Sequence, residues 1–331
     1  MLWDQYVSRH SRATHSHMWG WKKVIEESFG LQTFYLIART AERVEGILPL
    51  VWQKSVLFGN FITSLPFLNA GGPLADSRDI ELGLVEYAIQ VSKSVRAAHL
   101  QLRYRGEYTL DLPVDTHKVA VIRDLPSDVD KLWMSVSSNN RRKVNKALKS
   151  GLSAQAEGVE ALDEFYGLFA GNMRNLGTPV YSRGLFQQVL EVFPDDSSIV
   201  MVRRGSCAIA GALLVSFRKS MEAIWMCSDW RYLQHQPNML LYWWILRVAA
   251  ERGYQQLDFG RSTRESGTHM FKKLWDTHDV QLYWANWTAD GASSLNLNQN
   301  SLKYRIATSL WKHIPLSVCN LVGPQLVRSL P

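Results

Sequence analysis

Two parts of the chain repeat one pattern, and this internal repeat constrains the fold more than any other feature. The segment VEGILPLVWQKS at 44–55 resembles IAGALLVSFRKS at 209–220, with a glycine inside an apolar run in both. Further along, LVEYAIQVSKSVRAAHLQLRY at 84–104 resembles LYWWILRVAAERGYQQLDFGR at 241–261, and both have the pattern of a helix, a turn and a strand. Either the chain contains two copies of one α/β unit, or two ordinary strand–helix–strand segments look alike.

Length and composition are those of an ordinary globular protein. At ~150 residues per domain, 331 residues predict about two domains. With 46% apolar and 20% charged residues, the composition excludes disordered and fibrous proteins. The net charge of +7 favours an anionic partner, such as a nucleotide, tRNA, an acidic glycan or a membrane surface, without selecting one.

Several expected absences bear on compartment and chemistry. Three widely spaced cysteines give neither a disulfide framework nor a zinc-ligand spacing, and the histidines at 10, 15 and 17 come with no spaced ligand set, so we expect no metal site. The first ten residues have no long apolar core, and no run of ~18 uncharged apolar residues occurs. We therefore expect a cytoplasmic protein, with the inner face of the membrane as an alternative place.

Hydrophobic periodicity and turn residues predict an ordered series of elements in each half. The first half is expected to contain a helix, a two-stranded hairpin, a second helix and a strand, at 18–29, 33–40, 44–52, 80–95 and 99–103. In the second half we expect helices at 140–149, 162–176, 183–192 and 239–251 and strands at 198–203, 208–217, 221–228 and 255–259. The predicted division is a first unit at 1–124, a second unit at 125–290 and a helical tail at 291–331 that packs back on the first unit.

Strands followed by a helix and one further strand match the topology of the GNAT acyl-CoA N-acyltransferase fold, and two such units resemble the FemABX peptidyltransferases. In that fold two central strands splay apart and admit an acyl donor. More specific segments resemble FemAB-related proteins of the PEP-CTERM/exosortase-associated type. They are LDFGRSTRESGTHMFKKLW (257–275), NMRNLGTPVYSR (172–183), PNMLLYW (237–243), LFGNFITSLPFLNAGGPL (57–74) and GPQLVRSLP (323–331). One departure is Asp276, where relatives usually have glycine after the tryptophan.

The resemblance implies a fold class and a function. The fold would be α/β (α+β), with tandem GNAT-like units whose mixed, mostly antiparallel sheets carry helices on both faces. The function would be an acyl- or aminoacyl-transferase that forms an amide on an amino sugar or peptide acceptor in bacterial exopolysaccharide or cell-envelope biosynthesis. The acceptor could be nucleotide- or lipid-linked. Two alternatives stay open: a non-catalytic glycan-binding module of polysaccharide export, and an ordinary acetyl-CoA-dependent N-acetyltransferase.

The expected chemistry points to three candidate catalytic residues. N-acyl transfer needs a neutral amine, an activated carbonyl and donors for the developing oxyanion, but no covalent enzyme intermediate. In FemABX enzymes the matching Phe-Lys pair lies at the reaction centre, so Lys272 would stabilise the oxyanion and Phe271 would help to exclude water. Asp258 interrupts an apolar strand and could act as the base or hold Arg261. The alternative is that Asp258 only organises the turn at 260–262.

Other polar positions are candidates for substrate binding. Arg141 and Arg142 begin a basic cluster with Lys143, Lys146 and Lys149, which suits a phosphate-bearing substrate or is simply a solvated face. His17 and Trp21 are four residues apart in the first predicted helix and could bind a sugar, although a satisfied core histidine is the commoner outcome. Asn172, Arg174 and Tyr181 run from one predicted helix into the loop after it. Asn238 is expected to cap the helix at 239–251, and Arg261 and Ser262 follow the apolar strand.

The acyl donor is left open by the sequence. Coenzyme A-dependent relatives grip the pyrophosphate with a glycine-rich loop before the central helix, whereas the matching segment here, WRYLQHQPNM at 230–239, has no glycine and contains Pro237. We therefore expect no tightly bound cofactor and a donor that is aminoacyl-tRNA or an acyl-CoA. The coiled-coil arm of many Fem enzymes has no equivalent heptad insert. A peripheral membrane contact is a further hypothesis, based on a tail helix with Trp311 and Ile314 on one side.

Overall fold

The computed structural model of this protein describes residues 1–41, 43–55, 59–291 and 308–330, which divide into two units. The first unit comprises the described residues of 1–120, 280–291 and 328–330, and the second those of 121–279 and 308–327. Among the described residues, no helix combines the length and apolar composition that a bilayer-spanning segment needs.

The first unit begins with two helices and continues with an antiparallel meander. Its helices are α1 (Leu2–Arg9), α2 (Gly20–Phe29) and α3 (Arg78–Ser94). Its strands are β1 (Gln32–Arg39), β2 (Val44–Ser55), β3 (Gly59–Thr63), β4 (Leu74–Ala75), β5 (His99–Arg105) and β6 (Val114–Asp115). Ser77 caps α3 by accepting a hydrogen bond from the Ile80 amide. The core forms where Leu84 and Ala88 of α3 pack against apolar residues of the sheet such as Leu48, Ile62 and Leu100.

The second unit follows β7 (Lys118–Asp124), within which the division between the units falls. Its helices are α4 (Val129–Ser135), α5 (Ser138–Lys149), α6 (Leu162–Leu176), α7 (Arg183–Val192), α8 (Pro237–Glu251), α9 (Gly267–Lys273) and α10 (Leu316–Val327). Its strands are β8 (Leu152–Glu157), β9 (Ser197–Arg204), β10 (Cys207–Phe217), β11 (Ser220–Ser228) and β12 (Gln256–Thr263). Strand β10 is buried on both faces because α8 packs on one and α6 on the other.

The sequence repeat is a structural repeat. In the first unit β1, β2 and β3 pair antiparallel, α3 follows, and β5 then pairs parallel to β3. In the second unit β9, β10 and β11 pair antiparallel, α8 follows, and β12 pairs parallel to β11. Each of these parallel ladders has three residue pairs. The last pair is Thr63 with Gln101 in the first unit and Glu222 with Asp258 in the second. The sequence alignment also matches Gln101 with Asp258, so the predicted tandem α/β arrangement is confirmed.

The bounds of the units differ from the predicted division in two places. Residues up to 290 were expected in the second unit, but most of β13 (His278–Thr288) belongs to the first, because this strand pairs with β5 over seven residue pairs. The tail was expected on the first unit, but α10 packs in the second, against α6. Only the final described residues lie in the first unit, where Gln53 donates hydrogen bonds to the carbonyls of Arg328 and Leu330. Residues 292–307 and 331 of the predicted tail lie outside the described residues.

The strand pair β3–β5 diverges after its third pair, and the loop that follows β3 fills the gap. The amide of Ser64 donates to the Gln101 carbonyl, and the Arg103 amide donates to the Ser64 hydroxyl. The amides of Gly71 and Gly72 both donate to the Arg103 carbonyl, at 3.1 and 2.8 Å. The loop thus supplies the partners that a neighbouring strand would provide, and this fork is closed by the protein's own backbone.

His17 helps to hold that loop. Its Nε2 lies 3.1 Å from the Gly72 carbonyl, and its Nδ1 accepts a hydrogen bond from the Thr14 amide. This pattern places the proton on Nε2, which donates to Gly72. Burial lowers the pKa of His17 to about 3, so the imidazole is neutral at physiological pH.

Gly72 is required at its position by close packing. A Cβ there would lie 2.9 Å from the Arg103 carbonyl oxygen, which is closer than real Cβ atoms approach. We predict that Gly72→Ala lowers the free energy of unfolding by about 2 kcal/mol, because the loop must move away from β5. Gly83 in α3 is the matched control: it is exposed with open space around its Cβ position, so Gly83→Ala should raise stability by about 1 kcal/mol. Chemical denaturation measures both, and equal stability of the Gly72 variant and the wild type would contradict this account.

Candidate functional site

The second unit has a fork between β11 and β12 at the position equivalent to the closed fork of the first unit. The parallel pairing ends at Glu222 and Asp258, whereas β11 continues to Ser228 and β12 to Thr263. The pairing of β11 with β10 shifts register around Ile224, which marks a bulge directly after the fork point. Bulges increase local strand twist and favour this divergence. Glu222 and Asp258 therefore stand side by side, both buried, where the strands separate.

Lys272 on α9 binds the diverging part of β12. Its Nζ donates to the carbonyls of Gly260 and Arg261, at 2.9 and 3.0 Å, and the residue is only 4% exposed. Burial lowers the pKa of Lys272 to about 8, although the negative charges of Asp258 and Glu222 act in the opposite direction. An ammonium has three donors, so two are committed to the backbone and one remains for another acceptor.

The helix that carries Lys272 is fixed by a histidine–aspartate pair. Nε2 of His269 lies 3.0 Å from the Asp279 carboxylate, and Nδ1 accepts a hydrogen bond from the Glu265 amide. The Ser266 hydroxyl caps α9 by accepting from the His269 amide. On the other side of the helix, the ring of Phe271 makes an edge-on contact with Tyr242 of α8, with centroids 4.9 Å apart. These contacts hold Lys272 against β12.

Asp258 also shapes the backbone of β12. Its Oδ1 accepts a 2.7 Å hydrogen bond from the amide of Gly260, which has a φ of +74°. Glycine adopts this left-handed conformation without strain, so the pair forms a local turn within the strand. This contact fits the alternative in which Asp258 organises the turn at 260–262. The electrostatic effect on Lys272 shows that the carboxylate also acts on the buried ammonium.

Tyr181, Arg261 and Ser262 surround the fork beyond its branch point. Arg261 is exposed to solvent; desolvation lowers its pKa, and the negative charge of Glu222 acts in the opposite direction. The ring of Tyr181 lies 6.0 Å from Trp225 of β11. The Ser262 side chain is buried, and its Oγ has no hydrogen-bond partner within the described part of the chain. A ligand in the fork would satisfy that hydroxyl.

A cavity of about 570 Å³ lies at the same end of the sheet as the open fork. Its lining includes Asn172 and Arg174, two of the candidate substrate-binding residues, and Trp230, which is 63% exposed. Asp229 forms a bidentate pair with Arg231 at the end of β11. The other lining residues come from α6, the start of β10, the end of β11 and the first residue of α10; they are Asp163, Glu164, Gly167, Leu168, Gly171, Asn175, Cys207, Ala208, Ser228 and Leu316.

The basic helix α5 forms a separate surface with a shallow groove of about 690 Å³ along it. Arg142, Lys146 and Lys149 are exposed there, in agreement with the predicted basic face. The guanidinium of Arg141 is used differently, because Nη1 donates to three carbonyls at the end of α4, among them Met134 at 2.9 Å. Arg141 is therefore a capping residue, although it also lines the groove.

Three predicted site residues have other roles or positions. His17 and Trp21 do not share a helix, since His17 lies in a 3₁₀ turn before α2. Trp21 is only 1% exposed, so a sugar cannot stack on its ring, and the pair is not part of the proposed site. Asn238 is the second residue of α8 rather than its cap; the cap position is Gln236, with a φ of +62°. Asn238 is partly exposed at the helix start.

The sequence analysis did not identify several residues of the site. Glu222 interrupts the apolar strand MEAIWMC just as Asp258 interrupts LDF, and that signal could have identified it. The His269–Asp279 pair gave no signal, because the two residues lie on different elements. Asp276 adopts a φ of +56°, which explains why glycine suits this position in the resembling family and why aspartate is tolerated.

Comparisons with known proteins identify the fold of these units. Residues 135–273 match a family model described as "Acetyltransferase (GNAT) domain". The crystal structure of FemX has a TM-score of 0.64 at 14% identity, over 85% of this chain and 94% of that one. The C-terminal domain of a putative lysylphosphatidylglycerol synthetase from Agrobacterium fabrum gives 0.60 at 11%, over 88% and 92%. A tandem GNAT protein from the clavulanic acid pathway gives 0.52 at 11%, over 78% and 83%. No curated protein matches the sequence. The predicted tandem GNAT fold is thus confirmed.

The lowered pKa of Lys272 predicts a pH dependence of stability. The unfolded chain holds the Lys272 proton up to a pH near 10.5, and the folded chain releases it near 8. Between these values the unfolded state binds more protons, so stability rises with pH. We expect the unfolding free energy of the wild type, relative to Lys272→Met, to increase by up to about 3 kcal/mol across this window. Urea titrations from pH 7 to about 10 measure it. A flat or falling difference would contradict the buried ammonium.

Proposed function

We propose that this protein is an N-acyltransferase that transfers an acyl or aminoacyl group to the amine of an amino sugar or peptide, at the fork of the second unit. The observation that carries the proposal is the divergence of β11 and β12 after Glu222 and Asp258, with the buried Lys272 bound to the diverging part of β12. The first unit has the same fork, but its own loop occupies it. The GNAT-domain match includes β11, α8, β12 and Lys272, and therefore all of this site.

The residues around the fork account for the steps of amide formation. The acyl carbonyl enters between β11 and β12, and the third N–H of Lys272 donates to its oxygen as negative charge develops. The amine nitrogen attacks the carbonyl carbon, a C–N bond forms, and the bond to the donor oxygen or sulfur breaks. The proton lost by the amine goes to Glu222 or Asp258, and the leaving atom is protonated in turn. Phe271 packs behind Lys272 and limits access of water.

The segment before α8 argues against coenzyme A as the acyl carrier. A pyrophosphate is held by free backbone amides before the central helix, but four amides of this segment already have partners within the chain. Arg231 and Tyr232 donate to Asp229, Gln236 donates to Leu233, and Met239 donates to Gln236. Pro237 has no amide proton. We therefore infer that the acyl group arrives on another carrier, and aminoacyl-tRNA suits the exposed cations of α5.

The cavity beside the fork supports a polar, amine-bearing acceptor. Carboxylates of Asp163, Glu164 and Asp229 line it, each paired with an arginine, and their remaining acceptor positions would bind the N–H or O–H groups of an amino sugar or peptide. The exposed ring of Trp230 offers a face for a sugar. A role in exopolysaccharide or cell-envelope synthesis rests on the sequence resemblance and on the likeness to FemX. The second candidate function is glycan binding without catalysis, which the occupied amides before α8 and the exposed Trp230 favour.

Lys272 provides the direct test of catalysis. We expect Lys272→Met to reduce turnover at least about tenfold, because it removes the oxyanion donor. Lys273→Ala is the matched control; this neighbouring lysine is exposed and should keep activity within about twofold. Amide formation from a mixture of charged tRNAs and acetyl-CoA, with glucosamine as acceptor, can be followed by mass spectrometry. Wild-type turnover in Lys272→Met would remove Lys272 from the mechanism. Glucosamine that binds and is recovered unmodified with every donor would favour the glycan-binding alternative.

Acetyl-CoA binding tests the identity of the donor. We expect titration calorimetry of the intact protein with acetyl-CoA to show no binding in the micromolar range, since the backbone amides before α8 are engaged. A coenzyme A-binding acetyltransferase in the same buffer provides the positive control. Micromolar binding would contradict this inference and make an ordinary N-acetyltransferase the better description.

A further inference from the structure

Helix α10 presents an apolar face to solvent. Val318, Leu321 and Val322 are 43%, 76% and 39% exposed and lie at the i, i+3 and i+4 spacing that places them on one side of the helix. We call these three residues the α10 apolar face. Leu310, in the short helical segment just before α10, is a further exposed apolar residue at 64%. By contrast, Trp311 and Ile314, the residues expected to be exposed, are partly buried.

The exposure does not reflect loose attachment, because the opposite side of the tail is docked closely on the second unit. A Cβ on Gly323 would lie 2.9 Å from the amide nitrogen of Val180, so α10 touches the backbone of the loop between α6 and α7. A Cβ on Gly177 in the same loop would come closer still to Thr308. Cys319 and Val327 are buried on the docked side. The apolar face is therefore held in a fixed orientation.

The charge of the tail indicates what would cover this face. Residues 291–331 contain no aspartate or glutamate, while Lys303, Arg305, Lys312 and Arg328 are cationic. Lys312 and Arg328 are exposed, as is His313. Exposed aliphatic side chains together with cations and without acidic residues are the combination that binds an anionic membrane surface. A second copy would be a poorer partner, since a symmetric interface would bring identical cationic segments together.

We propose that the α10 apolar face binds an anionic lipid surface. Leu321, the most exposed residue of the three, would enter the acyl boundary, while Lys312 contacts the lipid phosphates. Leu316, at the start of the same helix, lines the cavity beside the fork, so binding would bring the cavity to the membrane. In combination with the proposed function, this position would give the enzyme access to a lipid-linked acceptor.

Vesicle binding tests the proposal without any assay of catalysis. The full chain is sedimented with vesicles of phosphatidylcholine alone or of phosphatidylcholine with phosphatidylglycerol. We expect binding only to the anionic vesicles, weakened by high salt, and an apparent affinity reduced about tenfold or more in Leu321→Ser/Val322→Ser. Val159→Ser is the matched control, since Val159 is also exposed, at 57%, but lies elsewhere in the second unit, and it should bind as the wild type does. Thermal unfolding confirms that each variant is folded, because the changed side chains are exposed.

Four outcomes would overturn the proposal: no wild-type binding to anionic vesicles, equal binding to both vesicle types, equal binding of the double variant, or an equal loss in the control. Analytical ultracentrifugation of the wild type and the double variant identifies the competing occupant. A dimer that the double variant loses would assign the face to a second copy of the chain. An inactive fork would leave vesicle binding unchanged, so failure of the proposed function and failure of this proposal can be told apart.

Discussion

The hydrogen bonds from the Lys272 ammonium to the carbonyls of Gly260 and Arg261 are the interaction on which the candidate site depends. A strand that leaves its neighbour loses backbone partners, and buried carbonyls without partners are costly. Lys272 supplies two of those partners, while Glu222 and Asp258 at the branch point partly offset the cost of burying its charge. The Lys272 ammonium thus takes the place of a neighbouring strand along the diverging part of β12. Under the proposed function, the same ammonium is the donor to the acyl carbonyl.

The two units show two solutions to one backbone problem. In the first unit the loop after β3 turns back and pairs with β5, and Gly72 permits the close approach that this pairing needs. His17 holds the loop from outside, which accounts for a neutral, buried histidine. In the second unit the Lys272 side chain supplies the hydrogen-bond donors that the loop backbone supplies in the first. The two copies of the α/β unit therefore differ in what satisfies the carbonyls of the diverging strand.

The sequence contains much of the fold but less of the site. Helices α6 and α7 match the predicted spans 162–176 and 183–192, because capping residues and left-handed glycines mark their ends locally. Strand β8 and helix α9 were not predicted, since short elements are selected by tertiary packing more than by local pattern. The family motif identified Lys272 in the sequence. Its hydrogen bonds to Gly260 and Arg261, and the position of Glu222 beside Asp258, could not be predicted because they depend on pairing between strands that are distant in sequence. The burial of Trp21 could not be predicted for the same reason, because it depends on the packing of the whole unit.

The central claim is that an acyl carbonyl binds in the fork of the second unit, beside Lys272, and in no equivalent place in the first. An experimental structure of the protein with an aminoacyl-adenosine in which an amide replaces the labile ester tests it most directly. We predict that the carbonyl oxygen lies between β11 and β12, within hydrogen-bond distance of the Lys272 Nζ, with Ser262 or Tyr181 in contact with the ligand. A ligand bound elsewhere in the second unit, or in the fork of the first unit after displacement of the Gly71–Gly72 loop, would contradict the account.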